Sequence, residues 1–223
     1  MRQAKKLDMK LLTIVLTRNK AISVKTLHTI LRLNITCLET KTMNEICFVN
    51  DNLQERRDYL THRLMMKDST IDRILWLDYS VSLDIESINL AVKPFEVSGC
   101  HGIVYPAVLE GVDWPAFKQK ILAKSSEPIH QMGLHFDTDV DTKIPKFPHL
   151  YNIKTTNPKA WVIDVKQVSK KIGSQKLPVI PSELFKMFMN NNKILAFVDA
   201  QVTLTYAHEC LGNIMNSAGV TAS

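Results

Sequence analysis

Glycine is scarce in this chain, with 7 in 223 residues. None of the seven falls into a GxGxxG or GxxxxGK[ST] pattern, which excludes the glycine-rich phosphate cradles of dinucleotide-binding dehydrogenases and P-loop kinases. Cysteine is also sparse. The four cysteines, Cys37, Cys47, Cys100 and Cys210, show no CxxC spacing, which argues against a zinc site or a disulfide framework and leaves reduced packing residues. No run approaches the roughly 20 apolar residues that a membrane-spanning helix needs. The opening MRQAKKLDMK has neither the apolar segment nor the cleavage site of a signal peptide, so a cytoplasmic location is expected. Internal repeats and low-complexity segments are missing too.

What is present is an ordinary globular composition. Hydrophobic residues make up 45% and charged residues 22%, enough apolar material for most of the chain to share a core, and the length favours one domain. The net charge of +6 is dispersed; the nearest thing to a cluster is Arg2, Lys5, Lys6 and Lys10. That dispersal gives no footprint for specific nucleic-acid recognition and suits either an anionic small ligand or a solvated surface.

The hydrophobic pattern alternates between short buried runs and helical spacing. Leu11 to Leu16 reads as a strand ending in Thr17, Arg18 and Asn19, and a helix is expected over Ser23 to Leu33. Glu45 to Val49 is a second strand, stopping at Asn50, Asp51 and Asn52; a helix over Gln54 to Met66 and a strand over Thr70 to Leu77 follow. Each strand leads into acids, amides and hydroxyls. Such βαβ units predict a mostly parallel sheet flanked by helices, with a site at the strands' carboxyl ends. Beyond residue 100, the pattern predicts a strand over Gly102 to Val108, a helix over Trp114 to Lys124 and an extended loop from Glu127 to Asn157, rich in proline. A loop of that length reads as a lid or acceptor-binding element, or else as disorder. A strand over Lys159 to Val165, a helix over Ser182 to Met189, a long strand or hairpin over Lys193 to Tyr206 and a short helix over His208 to Met215 complete the reading.

The most informative stretch is ILWLDYSVSLD, Ile74 to Asp84. Asp78 stands at the mouth of a strand, where a carboxylate can ligate a hard cation such as Mg²⁺ or Mn²⁺ or can serve as a capping or turn residue. Asp84 reads as a helix cap. His28, His62, His101, His130, His135 and His149 have no mutual ligand spacing and read as structural. Trp76, Trp114 and Trp161 are expected in the core, with Trp114 beside Asp113 as an alternative sugar platform.

The ordered series LTRN (Leu16 to Asn19), FVNDN (Phe48 to Asn52), WLDYS (Trp76 to Ser80) and YAHE (Tyr206 to Glu209) resembles the GT-A glycosyltransferases. Within them it is most similar to the small glycosyltransferase domains of large DNA viruses such as the chlorella viruses. The resemblance implies a single GT-A-like domain over 1–223. Its parts would be a basic tail at 1–10, a Rossmann-like nucleotide-binding half at 11–100, an irregular acceptor-binding and metal-completing half at 101–215 and a flexible tail at 216–223. It also implies a nucleotide-sugar donor, by family habit UDP-linked, and a glycan, glycoprotein or other hydroxyl acceptor. Thr17, Arg18 and Asn19 would then lie near the nucleotide, Asp51 at base or ribose, and Asp78, Tyr79 and Ser80 at the diphosphate. Mn²⁺ or Mg²⁺ would be held by Asp78 and His208. One position departs from the family pattern: the second acid of the DxD motif is Ser80, so Asp84 or water substitutes, or the site is degenerate. An inverting mechanism needs a carboxylate base, for which Asp113, Asp164 and Glu183 are the candidates. The alternative is a non-catalytic nucleotide-binding or basic interaction module.

Overall fold

The computed structural model describes residues 9–65, 70–93, 95, 99–109, 111–147, 149–172, 185–186, 193–200 and 202–204. The first strand, β1 (Lys10–Thr17), is buried on both faces over Leu11–Leu16, as befits a central strand made of an unbroken apolar run. Ser23 then caps α1 (Val24–Glu39), its hydroxyl accepting from the Thr26 N–H at 3.1 Å. Next come β2 (Met43–Asn50), α2 (Leu53–Met65) and β3 (Arg73–Leu77), in which all five residues are buried. After β3 the chain forms β4 (Val81–Ser82), α3 (Ile85–Val92), β5 (Gly102–Val104) and α4 (Trp114–Leu122). The remaining elements are β6 (Thr138–Phe147), β7 (Leu150–Thr156), β8 (Ala160–Asp164), α5 (Val165–Ile172), β9 (Ile194–Phe197) and β10 (Thr203–Leu204).

These strands make an eight-stranded sheet in the order β2-β1-β3-β8-β5-β9-β7-β6, beside a two-stranded sheet of β10 and β4. The fold is therefore α/β, with one large sheet flanked by helices. β2, β1 and β3 are parallel, as the βαβ pattern predicts. β8 then enters antiparallel between β3 and β5, and the β9, β7 and β6 side joins through one parallel and two antiparallel pairings.

Period-two alternation along β1 sends Leu12, Ile14 and Leu16 to one face, with Leu60 of α2 and Val168 of α5, and Leu11 and Val15 to the other, with Leu33 of α1 and Ile88 of α3. The largest buried side chains, Trp76 and Trp161, stack across β3 and β8 with centroids 5.4 Å apart and ring planes 7° apart. Phe185 meets Trp161 edge to face at 5.4 Å. Arg73 is a buried cation, whose ordinary pKa is lowered chiefly by burial; its guanidinium donates to the carbonyls of Ala91 and Lys93, closing the end of α3.

Several expectations are corrected. The segment Glu127–Asn157 is no loop: after a 3-10 turn at Ile129–Gln131 it folds into the β6/β7 hairpin at the sheet edge. Its prolines misled the reading because β6 is an edge strand, where Pro145 needs no N–H to donate to a further neighbour. β5 stops at Val104, and Val108 makes only an isolated bridge with Phe136. Lys193–Tyr206 is not one hairpin; β9 pairs with β5 and β7, while β10 crosses to β4 through Thr203↔Ser82. α1 runs past Leu33 to Glu39, and α5 was not anticipated. The expected helices at Ser182–Met189, apart from Phe185 and Lys186, and at His208–Met215 lie outside the described residues. Trp114 is half-buried, with Phe117 edge-on at 5.5 Å, rather than fully in the core. Cys37, Cys47 and Cys100 are free, and burial pushes the Cys37 and Cys100 thiols up to about 11, so they stay protonated. Among the described residues, no helix is long and apolar enough to cross a membrane.

Candidate functional site

The parallel arrangement of β2, β1 and β3 puts Asn50, Thr17 and Leu77 at one edge of the sheet, so the loops that follow them meet. The Asp51 N–H donates to the Thr17 carbonyl at 2.7 Å, joining the first two strand ends directly. The Thr17 hydroxyl donates to the Val49 carbonyl at 3.3 Å. Beyond Thr17 the chain turns sharply, with Asn19 and Lys20 at φ of 51° and 61° and a small bridge between Arg18 and Ala21. Asparagine tolerates this left-handed region better than most residues do. The turn aims Arg18 back across the strand ends.

Charges interlock there. Arg18 Nε lies 2.6 Å from Asp51 Oδ2, and the Arg56 guanidinium, from the first turns of α2, pairs with the other oxygen of the same carboxylate. Asp51 is thus enclosed between two guanidinium groups, with its side chain only 7% exposed. Arg56 Nη1 also stands 3.9 Å from Asp78 Oδ1, linking the second strand end to the third. The Arg18 guanidinium lies over the Tyr79 ring at 4.8 Å from its centroid. One chain of contacts therefore runs Tyr79, Arg18, Asp51, Arg56, Asp78.

Asp78 is held from the opposite side by Lys159, the residue that leads into β8. The Asp78 N–H donates to the Lys159 carbonyl at 2.8 Å, while the Lys159 N–H donates to Asp137 Oδ2 at 3.1 Å. Asp137 is itself buried and accepts from the Ala107 N–H at 3.1 Å and the Thr138 hydroxyl at 2.8 Å. Burial raises the pKa of Asp78 above the usual carboxylate value, opposed by the positive charges of Arg56 and Lys159, the Tyr79 N–H and Arg18. Asp137 is raised for the same reason, against its three hydrogen bonds and Lys159.

Beside this charged chain lies an open cleft of about 730 Å³, lined by Thr17, Asn19, Lys20, Ile22, Phe48, Asn50 and Glu55. Its size suits a small organic ligand. Phe48 presents its ring at 55% exposure, an apolar surface beside amide, ammonium and carboxylate groups.

No protein-family model and no curated protein matches the chain. Among solved structures it is similar to a glycosyltransferase involved in the glycosylation of the major capsid of PBCV-1, with 10% identity and a TM-score of 0.38 over 94% of this chain and 99% of that one. It is also similar to the inositol-1-phosphate CTP transferase from T. maritima, with 9% identity and a TM-score of 0.46 over 91% of this chain and 90% of that one. At these values neither likeness bears on substrate or chemistry.

Of the residues singled out in the sequence, Thr17, Arg18, Asn19, Asp51, Asp78 and Tyr79 gather at this edge. Ser80 follows them but is buried at 2% exposure with φ of 60°, a tight-turn position beneath the surface. Asp84 caps α3, accepting from the Ser87 N–H at 2.7 Å. One base candidate is placed elsewhere. Asp164 pairs in register with Arg73, at the opposite end of β3 from Asp78, about 16 Å away along the strand at 3.3 Å per residue. There it caps α5 through the Gln167 N–H at 2.9 Å. Asp113 caps α4, accepting from the Ala116 N–H at 2.9 Å, and pairs with His135 at 3.2 Å; both contacts hold its pKa below the usual value. A carboxylate so engaged is a poor proton acceptor. Glu183 and His208 lie outside the described residues.

Sequence reading missed Arg56, Lys159, Asp137 and the cleft wall of Lys20, Ile22, Phe48, Asn50 and Glu55. A signal existed for Glu55 and Arg56, which fall in the first turns of a helix that begins just after a site strand. None existed for Lys159, which reaches the site only because β8 runs antiparallel. Among the described residues, no three His, Cys, Asp or Glu side chains are arranged to hold a metal ion. Asp78 Oδ1 is nevertheless buried without a hydrogen-bond partner, and such an oxygen fits a hard divalent cation that keeps positions for water and phosphate oxygens.

Proposed function

We propose that the chain is a glycosyltransferase that binds a nucleotide-sugar donor at the carboxyl edge of β1, β2 and β3. The observation that carries this reading is the gathering of Arg18, Asp51, Arg56 and Asp78 from three adjacent strand ends beside an open cleft. A diphosphate entering there finds two guanidinium groups able to exchange Asp51 for phosphate oxygens in charge-assisted, bidentate contacts. Phe48 and Ile22 offer an apolar wall to a nucleobase, while Asn50 and Asn19 offer amides for its edge or for ribose hydroxyls. UDP is the donor nucleotide proposed.

Asp78, with His208, would hold Mn²⁺ or Mg²⁺, and the bound cation would neutralise charge developing on the leaving diphosphate. With Asp164 at the far edge and Asp113 engaged as a cap, Glu183 is the remaining candidate for the base that deprotonates a glycan or protein hydroxyl.

The test is thermal unfolding of the protein with UDP, GDP, CTP and several nucleotide sugars, each with Mn²⁺ or with a chelator, followed by a transfer assay with the donor that binds. A ligand that binds the native state raises the midpoint. The reading expects a metal-dependent rise with one nucleotide diphosphate and its sugar, lost in Asp78→Ala and in Arg18→Ala. A rise with triphosphates alone would replace it with nucleotidyl transfer. No rise with any nucleotide would replace it with a binding module that has no turnover.

A further inference from the structure

Helix α1 buries Thr26, Thr29, Ile30, Leu33, Thr36 and Cys37 against the sheet and α3, yet its opposite face is not polar. Val24, Leu27, Leu31, Ile35 and Leu38 are 83%, 45%, 54%, 57% and 79% exposed. At about 100° per residue these five fall within roughly 40° of a line through Leu31, forming one straight stripe. It runs the length of the helix, about 21 Å from Val24 to Leu38 at 1.5 Å per residue. Scattered surface leucines need no explanation, but a continuous apolar stripe marks a contact surface.

The spacing identifies the occupant. Val24 and Leu38 stand equally far in sequence from Leu31, and so do Leu27 and Ile35. The stripe therefore reads the same in both directions about Leu31. Two copies laid antiparallel would bring Leu31 to Leu31, Leu27 to Ile35 and Val24 to Leu38 around a two-fold axis, the isologous arrangement of symmetric dimers.

Charge agrees with that geometry. Within one copy, α1 has no acid in its first turn and no base in its last; instead Lys25 lies near the start and Glu39 at the end, each at the unfavourable pole of the helix dipole. In the antiparallel pair, Lys25 of one copy lies beside the end of the partner helix and within reach of Glu39 there, and both mismatches are relieved twice. His28 and Arg32 flank the same side on the solvated rim. On the other flank, Asn34 is occupied by the Asn44 amide at 2.8 Å.

We propose that α1 is a self-association surface, pairing antiparallel with α1 of a second copy about Leu31. A single helix pair of this length falls at the low end of specific interfaces, below about 1,200 Å² in total, so association belongs in the micromolar range.

Sedimentation velocity of the full chain, from sub-micromolar to a few hundred micromolar, tests this. The wild type is expected to pass from monomer to dimer across that range. Leu31→Lys is expected to abolish the dimer without lowering the thermal midpoint measured at the dilute end. Lys25→Glu and Glu39→Lys should each weaken dimerisation severalfold, and the double variant should restore it, a readout that general loss of structure would not produce. A wild type monomeric throughout overturns the proposal, as does a dimer that survives Leu31→Lys. Failure of the double variant to restore association overturns the antiparallel pairing. A lowered midpoint of dilute Leu31→Lys also overturns the proposal, and assigns the stripe to a covering segment of the same chain.

Discussion

Arg18 and Asp51, thirty-three residues apart in sequence, meet at 2.6 Å where the first two strands end, and Asp51 receives a second guanidinium from Arg56. The carboxylate is nearly buried while Arg18 is about half exposed, so the pair is neither a solvent-screened surface bridge nor a fully desolvated one. Asp51→Asn leaves two neighbouring cations with a weaker acceptor. Urea unfolding is expected to show a loss of about 1–2 kcal/mol, between the values for exposed and buried charged hydrogen bonds. If the guanidinium pair is what receives a diphosphate, the same variant changes the UDP-induced thermal shift, whereas a purely structural pair leaves it intact.

Asp78 carries a pH signature. Burial raises its pKa above the ordinary 3.8, so the folded chain binds its proton more tightly than the unfolded chain does. The stability this provides is complete below about pH 4 and is lost as pH rises through the folded value. Asp78→Asn cannot ionise, so its unfolding free energy should lack that fall and exceed the wild type's at neutral pH, while the metal-dependent nucleotide shift disappears. Equal stability of the two proteins across this range would show that Arg56 and Lys159 offset the burial fully.

Asp84 provides the contrast. Its carboxylate holds the Ser87 N–H at the start of α3. Asp84→Ala is expected to cost about 1 kcal/mol through loss of the cap. Nucleotide-dependent shifts should be unchanged, and their loss would return Asp84 to the list of ligands.

Gly102 tests packing in the middle of the sheet. A Cβ there would meet Ile163 Cγ2 and the Val162 carbonyl oxygen, each at 2.9 Å, and a carbonyl of a central strand has little room to move. Gly102→Ala should therefore destabilise by about 1–3 kcal/mol, the range for overpacked cores, measured as a lower urea midpoint with an unchanged slope.

The βαβ half was legible because its signals are local. The apolar runs around Ile14, Val49 and Leu75, each followed by polar residues, mark strands and their exits, and right-handed parallel crossovers then bring Thr17, Asp51 and Asp78 to one edge. The second half was not legible in the same way. Asp164 ends a strand exactly as Asp78 follows one, yet the two lie at opposite edges because β8 runs antiparallel to β3. Nothing local to WVID distinguishes the two directions. Proline in the β6 segment pointed to a loop, because only the sheet order reveals that β6 is an edge and can do without the missing donor.

The sequence by itself determined the alternation of strands and helices, the cap at Asp84, and the three strand ends at which charged residues collect, since each depends on side-chain period and on backbone groups a few residues away. Tertiary structure alone decided that Arg56 reaches both Asp51 and Asp78, that the Lys159 peptide joins Asp78 to Asp137, and that the stripe through Leu31 faces outward. Those outcomes depend on strand direction and on which surface of each helix finds a neighbour, and both are set by contacts between residues far apart in the chain.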